Sequence, residues 1–338
     1  MINRGMRMGR PTMNDVARSA GVSLKTVSRV VNGEATVDPA LVARVRAAVA
    51  SLGYRPNLGA TMLRRNDLRT RTIGVLLEDV SNPFSAAVNR AVEDEAHGRG
   101  VHVLTGSLDE DPVRERDLAG AFARRHADGL ILAPTAPDQG YLGTDWQPGA
   151  PVVFVDRPAT GYRGDTVLAT NRSGTADAVR HLIARGHRRI AFLGDAPRIA
   201  TARSRRQGYR DAMREAGLPT CEAAAPDRGA EAAALALLTL PARPTALFTA
   251  QNLITVGALR ALRRLGLQHR VALVGFDDFP LADLLDPPIT VVAQDPAAMG
   301  RAAAEALFER IDGYDEEPRE ISIRTMLIPR GSGELLPA

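Results

Sequence analysis

The sequence predicts a small all-α head joined to an α/β body of two lobes. Apolar residues recur at helical spacing before residue 57, and short continuous apolar runs alternate with longer amphipathic segments after residue 71. The charge divides at the same place, since residues 1–71 carry 13 Lys/Arg against four Asp/Glu and the remainder carries 30 against 35. A basic head on a mildly acidic body predicts that the head binds a polyanion.

The first helix of the head is predicted to begin after Thr12. Thr12 can cap it, and Asp15, three residues later, can return a bond to the cap amide. Gly21 supplies the backbone freedom that a tight turn needs, and Ser23 can then cap a second helix. Residues 12–32 are therefore predicted to form a helix-turn-helix.

The second helix has two chemically different faces when its residues are projected at about 100° each. One face is predicted to pack and contains Val27, Val30 and Val31. The other face contains Leu24, Lys25, Ser28 and Arg29. Its ammonium, guanidinium, hydroxyl and apolar groups suit base edges and phosphates in the DNA major groove. The alternative is an ordinary helical hairpin with a solvated polar face.

A third helix and a hinge segment complete the predicted head. Asp38-Pro39 is a cap followed by the residue favoured at the first helical position, and apolar residues continue at helical spacing to Gly53. Asn57 can cap one short further helix that carries Leu63, and residues 66–71 are polar. These signals predict a DNA-binding domain at 1–56, a hinge helix and linker at 57–71, and the body at 72–338.

Four segments of this region carry a specific pattern: Asn14-Asp15-Val16-Ala17, Gly21-Val22-Ser23, Thr26 to Gly33, and Tyr54-Arg55-Pro56-Asn57. Together they resemble the lactose-repressor (LacI/GalR) family of transcription regulators. The resemblance implies that base edges are read by Leu24, Lys25 and Arg29. It implies that phosphates are held by Thr26, Ser28 and Asn32. It also implies that the hinge helix begun by Asn57 contacts DNA and that Leu63 inserts as a wedge into the minor groove.

The body is predicted from continuous apolar runs of strand length, beginning with Ile73–Leu77, Val101–Leu104, Gly129–Leu132 and Val152–Val155. Helical stretches separate the runs, which is typical of a parallel sheet covered on both faces. The pattern recurs from Thr166–Ala169 onward, which predicts a second α/β unit and a cleft. The resemblance covers this region too and implies a type I periplasmic-binding-protein-like fold, with an N-lobe at about 72–168 and 295–325 and a C-lobe at about 169–293 and 326–338.

Ligands of doubly wound sheets bind outside the carboxyl ends of the strands, so polar and aromatic residues just past each apolar run are candidates. The candidates are Asn82, Phe84, Thr135, Asp156, Gln251 and Asp277, with Arg203 and Arg205 added at the start of a predicted helix. Carboxylates accept from hydroxyls, arginine donates in a fork, and an aromatic ring stacks on an apolar sugar face.

The resemblance matches Asp277 and Arg205 with a pair that grips a small polar effector, commonly a sugar or nucleobase derivative. It also matches Asp156 and Asn82 with cleft positions, whereas Gln251-Asn252 stands where the family usually has Asn-Asp. Simpler interpretations exist. Arg205 and Asp277 could form a structural salt bridge, and Asp79, Thr135 and Gln251 could serve as caps or loop hydrogen bonds.

The single cysteine, Cys221, excludes an intramolecular disulfide and a cysteine-based metal cluster, and no apolar run has the length of a membrane span. We predict no cofactor, no metal, no membrane partner and a cytoplasmic location. No heptad repeat follows Arg330-Gly331, so a homodimer is expected rather than a tetramer. The first strand is not followed by Gly-x-Gly-x-x-Gly, and no Walker loop, Gly-x-Ser-x-Gly or His-Glu-x-x-His occurs, so no catalytic residue is predicted.

The predicted function is a sequence-specific transcriptional regulator, a repressor of a pseudo-palindromic operator, whose DNA affinity is controlled by a small polar, sugar-like effector in the cleft. Two alternatives remain at this point. One is a solute-binding module of a transport or sensing system, for which a basic helical head has no use. The other is a regulator that depends on a nucleobase-type corepressor.

Overall fold

The structure is a computed structural model that describes residues 11–31, 34, 36–54 and 69–337. The chain divides into two compact units, residues 1–70 and 71–338. Three residues of the predicted DNA contacts, Asn32, Asn57 and Leu63, lie outside the described residues, and so does most of the predicted hinge.

The first unit contains three described helices, α1 (Met13–Ala20), α2 (Leu24–Val31) and α3 (Pro39–Leu52). Thr12 and Asp15 form the predicted reciprocal cap of α1, since Asp15 Oδ2 accepts from Thr12 N at 2.9 Å and Thr12 Oγ1 accepts from Asp15 N at 3.3 Å. Gly21 ends α1 with a φ of 61°, and Ser23 Oγ accepts from the Thr26 amide at 3.1 Å. The predicted helix-turn-helix is confirmed.

A small apolar core holds these helices together. Its buried members come from all three helices and from the second residue after α3: Val16, Ala17, Ala20, Val27, Val45, Ala48 and Tyr54. Helices of eight residues are unstable alone, so this packing is what maintains α1 and α2. Of the predicted packing face of α2, Val27 is fully buried, and Val30 and Val31 are half-buried against the core.

The second unit contains two six-stranded sheets and the helices that cover them. Its strands are β1 (Thr72–Leu77), β2 (His102–Ser107), β3 (Leu130–Leu132), β4 (Val152–Val155), β5 (Thr166–Ala169), β6 (Ile190–Gly194), β7 (Cys221–Ala224), β8 (Ala246–Thr249), β9 (Ala272–Phe276), β10 (Thr290–Ala293), β11 (Glu320–Ile323) and β12 (Met326–Ile328). Its α-helices are α4 (Pro83–Gly98), α5 (Pro112–Ala123), α6 (Leu142–Asp145), α7 (Asn171–Ala184), α8 (Ala200–Glu215), α9 (Ala230–Leu238), α10 (Asn252–Arg264) and α11 (Pro296–Ile311). Among all the helices described, none is long and apolar enough to cross a membrane.

The first sheet has the order β11-β5-β4-β3-β1-β2 and the second β12-β10-β9-β8-β6-β7. Each sheet with its helices forms one lobe, and the chain crosses between lobes three times: after β5, after β10 and after β11. All pairings are parallel except that of β10 with β12. The inner strands, for example β3, β4, β8 and β9, are buried on both faces, as continuous apolar runs predict. The edge strands β2, β7, β11 and β12 are partly exposed.

Two sequence-based expectations about this unit are corrected. Thr166–Ala169 was expected to open the second α/β unit, but β5 lies in the first sheet between β4 and β11. A short apolar run indicates a strand and carries no information about which strands pair with it. Arg203 and Arg205 were expected at the start of a helix, but α8 begins at Ala200, which places both of them inside the helix.

Candidate functional site

The outer face of α2 brings together four of the residues predicted to bind DNA. They surround a shallow depression of about 420 Å³, whose lining is Leu24, Lys25, Ser28, Arg29 and Glu34. Leu24 is 38% exposed although it is apolar, and Lys25 is exposed beside it. Thr26 lies deeper, with its Oγ1 2.9 Å from Ser23 Oγ. The surface offers the mixture of groups that base edges and phosphates require.

Arg29 has intramolecular partners that the sequence did not reveal. Its Nε donates to Glu34 Oε2 at 2.8 Å, and its Nη2 donates to Thr36 Oγ1. An exposed ion pair of this kind contributes about 0 to 1 kcal/mol, whereas a bidentate guanine contact discriminates by about 1 to 3 kcal/mol. The pair with Glu34 is therefore too weak to prevent a bidentate contact between Arg29 and a guanine.

A cavity of about 670 Å³ lies between the two lobes of the second unit, at the carboxyl ends of strands from both sheets. Six of the eight predicted effector residues line it: Asn82, Phe84, Asp156, Arg205, Gln251 and Asp277. Asn82 and Gln251 are also helix caps, since Phe84 N donates to Asn82 Oδ1 and Ile254 N donates to Gln251 Oε1, both at 3.0 Å. For Gln251 the expected alternative of a cap is thus confirmed beside its place in the cavity.

Asp156 and Asp277 occupy matching positions in the two lobes. Asp156 directly follows β4 and Asp277 directly follows β9, and their φ angles are 67° and 69°. Left-handed backbone is uncommon outside glycine and is tolerated best by Asp and Asn. The two sharp bends place both carboxylates at the cavity, one from each lobe.

One oxygen of Asp156 is ready to accept a ligand hydrogen bond. Its Oδ1 is buried and has no hydrogen-bond partner within the part of the chain that the structure describes. Burial raises the pKa of Asp156 above its ordinary value, against the opposing effect of Arg157. A buried carboxylate oxygen without a partner is costly unless a ligand satisfies it, and a hydroxyl is a suitable donor.

Arg205 is the buried cation of the cavity. Its Nε donates to Asn171 Oδ1 at 2.7 Å and its Nη1 to the Ala250 carbonyl at 2.8 Å, while Nη1 lies 3.5 Å from Asp277 Oδ2. The guanidinium also lies over the Phe276 ring, 3.9 Å from its centroid. Within residues 69–337, Arg205 Nη2 has no hydrogen-bond partner and remains available to a ligand. The expected alternative of a salt bridge with Asp277 exists only as this long contact.

Other polar residues also line the cavity, and among them Glu110, Asp195 and Gln294 were not identified from the sequence. Gln294 Nε2 donates to Asp277 Oδ1 at 2.6 Å, and Arg157 Nη2 donates to Glu110 Oε1. The lining contains eight carboxylates and four arginines: Glu78, Asp79, Asp109, Glu110, Asp156, Asp195, Asp227 and Asp277, with Arg157, Arg198, Arg205 and Arg228. Glu110 and Asp195 follow β2 and β6 closely, so they could have been identified by searching for polar residues just after each predicted strand. An acidic lining favours a neutral ligand over an anionic one.

Glu78 makes the stability of the second unit depend on pH. Burial, and next the charge of Glu110, raise the pKa of Glu78 to about 7. The folded state therefore favours the protonated form of Glu78. The contribution of Glu78 to the free energy of unfolding is fully present below its ordinary pKa of 4.5 and is lost as the pH rises through about 7. We expect the free energy of unfolding in urea to fall over this range and Glu78→Gln to remove part of the fall. Glu316→Gln, at an exposed carboxylate, is the control, and an unchanged pH profile in Glu78→Gln would contradict the prediction.

The structure places Thr135 and Arg203 outside the residues that line the cavity. The Thr135 backbone N–H donates to buried Glu115, so this residue belongs to a loop connection of the first lobe. Arg203 Nη1 donates to the Pro197 and Arg198 carbonyls at 3.2 and 2.6 Å. Positions 203 and 205 point about 200° apart on a helix, so only one of them can face the cavity.

No cluster of His, Cys, Asp and Glu that could hold a metal ion occurs in the described ranges. A basic helix-turn-helix unit and a two-lobed unit with a polar cleft define a class, the transcription regulators with a periplasmic-binding-protein-like domain. Residues 12–57 match the model of bacterial regulatory proteins of the lacI family, and residues 179–333 match a periplasmic binding protein-like domain. The chain belongs to the lacI family, and the predicted fold class is confirmed.

Known relatives are similar in sequence to nearly the whole chain. The ribose operon repressor of Escherichia coli is 33% identical over 329 residues, which cover 95% of this chain and 99% of that protein. The solved complex of the transcriptional regulator CelR with cellobiose is 32% identical, with a TM-score of 0.69 and coverage of 96% and 100%. The lac repressor dimer bound to operator and the anti-inducer ONPF is 25% identical, with a TM-score of 0.81 and coverage of 96% and 99%.

Proposed function

We propose that this chain is a homodimeric transcriptional repressor whose operator affinity is set by a small, uncharged, sugar-like effector in the interlobe cavity. One observation carries the proposal. Among the described residues, a buried acceptor of the cavity, Asp156 Oδ1, has no partner, and a buried guanidinium has a spare donor, Arg205 Nη2. A polyol presents donors and acceptors on adjacent carbons and suits both groups. Relatives named for ribose and cellobiose support this ligand class.

In this proposal the head reads DNA through the outer face of α2. Leu24, Lys25 and Arg29 face base edges, and Thr26, Ser28 and Asn32 face phosphates. Asn57 and Leu63 complete the contact from the hinge, outside the described residues. The lac repressor dimer on its operator supports two heads on one pseudo-palindromic site. Action on bacterial DNA makes the proposed location cytoplasmic and the proposed role regulatory rather than enzymatic.

The effector acts by preferring one arrangement of the two lobes. A ligand shifts a conformational equilibrium only through its different affinities for the two states, and the coupling to DNA binding is reciprocal. The effector-binding residues in this proposal are those that line the cavity: Asn82, Phe84, Asp156, Arg205, Gln251 and Asp277.

The proposal is tested by letting the purified full chain select DNA duplexes from a random library. The selection is repeated in the presence of neutral sugars, sugar phosphates and nucleobases. We expect enrichment of one palindrome and a change in its affinity with a neutral sugar. Calorimetric titration of the same compounds identifies the ligand directly. The proposal would be refuted if the chain preferred no palindrome under any of these conditions. It would also be refuted if sugar phosphates or nucleobases bound to the chain and no neutral sugar did.

A further inference from the structure

Two asparagines from opposite lobes form a reciprocal amide pair. Asn82 precedes α4 in the first lobe and Asn252 begins α10 in the second. Asn82 Nδ2 donates to Asn252 Oδ1 at 3.2 Å, and Asn252 Nδ2 donates to Asn82 Oδ1 at 3.0 Å. Asn82 is 6% exposed and Asn252 is fully buried. Neither asparagine belongs to the three segments where the chain crosses between the sheets, so the pair is an additional attachment between the lobes.

The orientation of both amides is determined by neighbouring backbone. Phe84 N donates to Asn82 Oδ1 at 3.0 Å, and Leu253 N donates to Asn252 Oδ1 at 2.7 Å. A backbone N–H requires an oxygen as its partner, so neither amide can turn over without losing this bond. Each NH₂ group is therefore held opposite the oxygen of the other side chain, and two helix N-termini are joined through the pair.

We propose that the Asn82–Asn252 pair is an interlobe latch that stabilises the present lobe arrangement before any effector binds. Both acceptors of the pair already have two donors each, so Asn82 can offer an effector only the second hydrogen of its Nδ2. A buried amide hydrogen bond changes an equilibrium by roughly three- to tenfold, and a buried amide left without its partner changes it further. The consequence for regulation rests on the proposed function, whereas the latch itself does not.

The latch requires an amide at position 252, because this side chain must accept from Asn82 Nδ2 and donate to Asn82 Oδ1. In Asn252→Asp one oxygen keeps the bonds from Leu253 N and Asn82 Nδ2. The second oxygen takes the place of Nδ2 and faces Asn82 Oδ1, which is 3.0 Å from that site. One hydrogen bond is exchanged for a contact between two acceptors, while the cap of α10 survives. This variant separates the latch from the cap.

The test measures the distance between the lobes without DNA or effector. The full chain carries Cys221→Ser and two spin-labelled cysteines, Arg124→Cys in the first lobe and Arg263→Cys in the second. The labelled chain is mixed with excess unlabelled chain, so that the distances measured lie within one chain. Both positions are exposed. We expect one dominant distance in the parent, and in Asn252→Asp a second distance whose population rises roughly fivefold or more.

Asn89→Ala is the matched control, because the Asn89 amide donates to Glu93 within α4 at 2.8 Å and crosses no lobe boundary. It is expected to keep the parent distribution. If Asn252→Asp fails to fold, Asn82→Asp is used instead. It also disrupts the latch, while it keeps the oxygen that accepts from Phe84 N. Identical distributions in the parent and a folded latch variant, or an equal change in Asn89→Ala, would overturn the latch. Neither result bears on operator or effector binding, so this failure is distinguishable from failure of the proposed function.

Discussion

Arg205→Ala is expected to lower effector affinity by roughly 100-fold or more and to reduce the stability of the second unit. The substitution removes a buried donor from the cavity and leaves Asn171 Oδ1, the Ala250 carbonyl and Asp277 with fewer partners. Breaking a buried pair by removing one partner costs about 3 to 5 kcal/mol, because the remaining charge is uncompensated. Calorimetric titration with the selected effector and urea unfolding measure the two effects.

Arg203→Ala is the matched control on the same helix. Arg203 is exposed, and within the described part of the chain its side chain bonds to the Pro197 and Arg198 carbonyls before α8, so effector affinity is expected to stay unchanged. Asp277→Asn keeps an acceptor for Gln294 and tests the same site should Arg205→Ala fail to fold. A folded Arg205→Ala protein that binds the effector as tightly as the parent would refute the proposed role of Arg205.

Arg29→Ala is expected to cost roughly 1 to 3 kcal/mol of operator affinity and to relax specificity at one base pair. The Arg29 guanidinium lies on the exposed face of α2, and its ion pair with Glu34 is too weak to prevent it from binding a guanine. Affinity for the selected duplex and for its single-base variants, measured at one fixed salt concentration, checks both parts of the prediction.

Arg46→Ala separates base recognition from charge. Arg46 is exposed on α3, and its removal takes the same charge from the same unit. We expect a smaller loss that is similar for all duplexes, since it acts through long-range attraction to phosphates. Equal losses in Arg29→Ala and Arg46→Ala, with specificity preserved, would show that Arg29 does not read a base.

Local signals predicted the head well. Thr12, Asp15 and Gly21 act within one turn of a helix end, and each has its expected role. Strand-end residues such as Asp156 and Asp277 were also found, because parallel strands bring their carboxyl ends to one edge. Arg203 shows the limit of this reasoning. Both Arg203 and Arg205 were expected at the start of a helix, but α8 begins at Ala200, and two positions inside a helix point to different sides.

The sequence by itself determined the helix ends, the alternation of strands with helices and the basic charge of the head, because each depends on residues only a few positions apart. The tertiary structure alone decided that β5 joins the first sheet and that Asn82 meets Asn252 from 170 positions away. Such contacts depend on how lobes and loops pack, and nothing in the local chain specifies the partner.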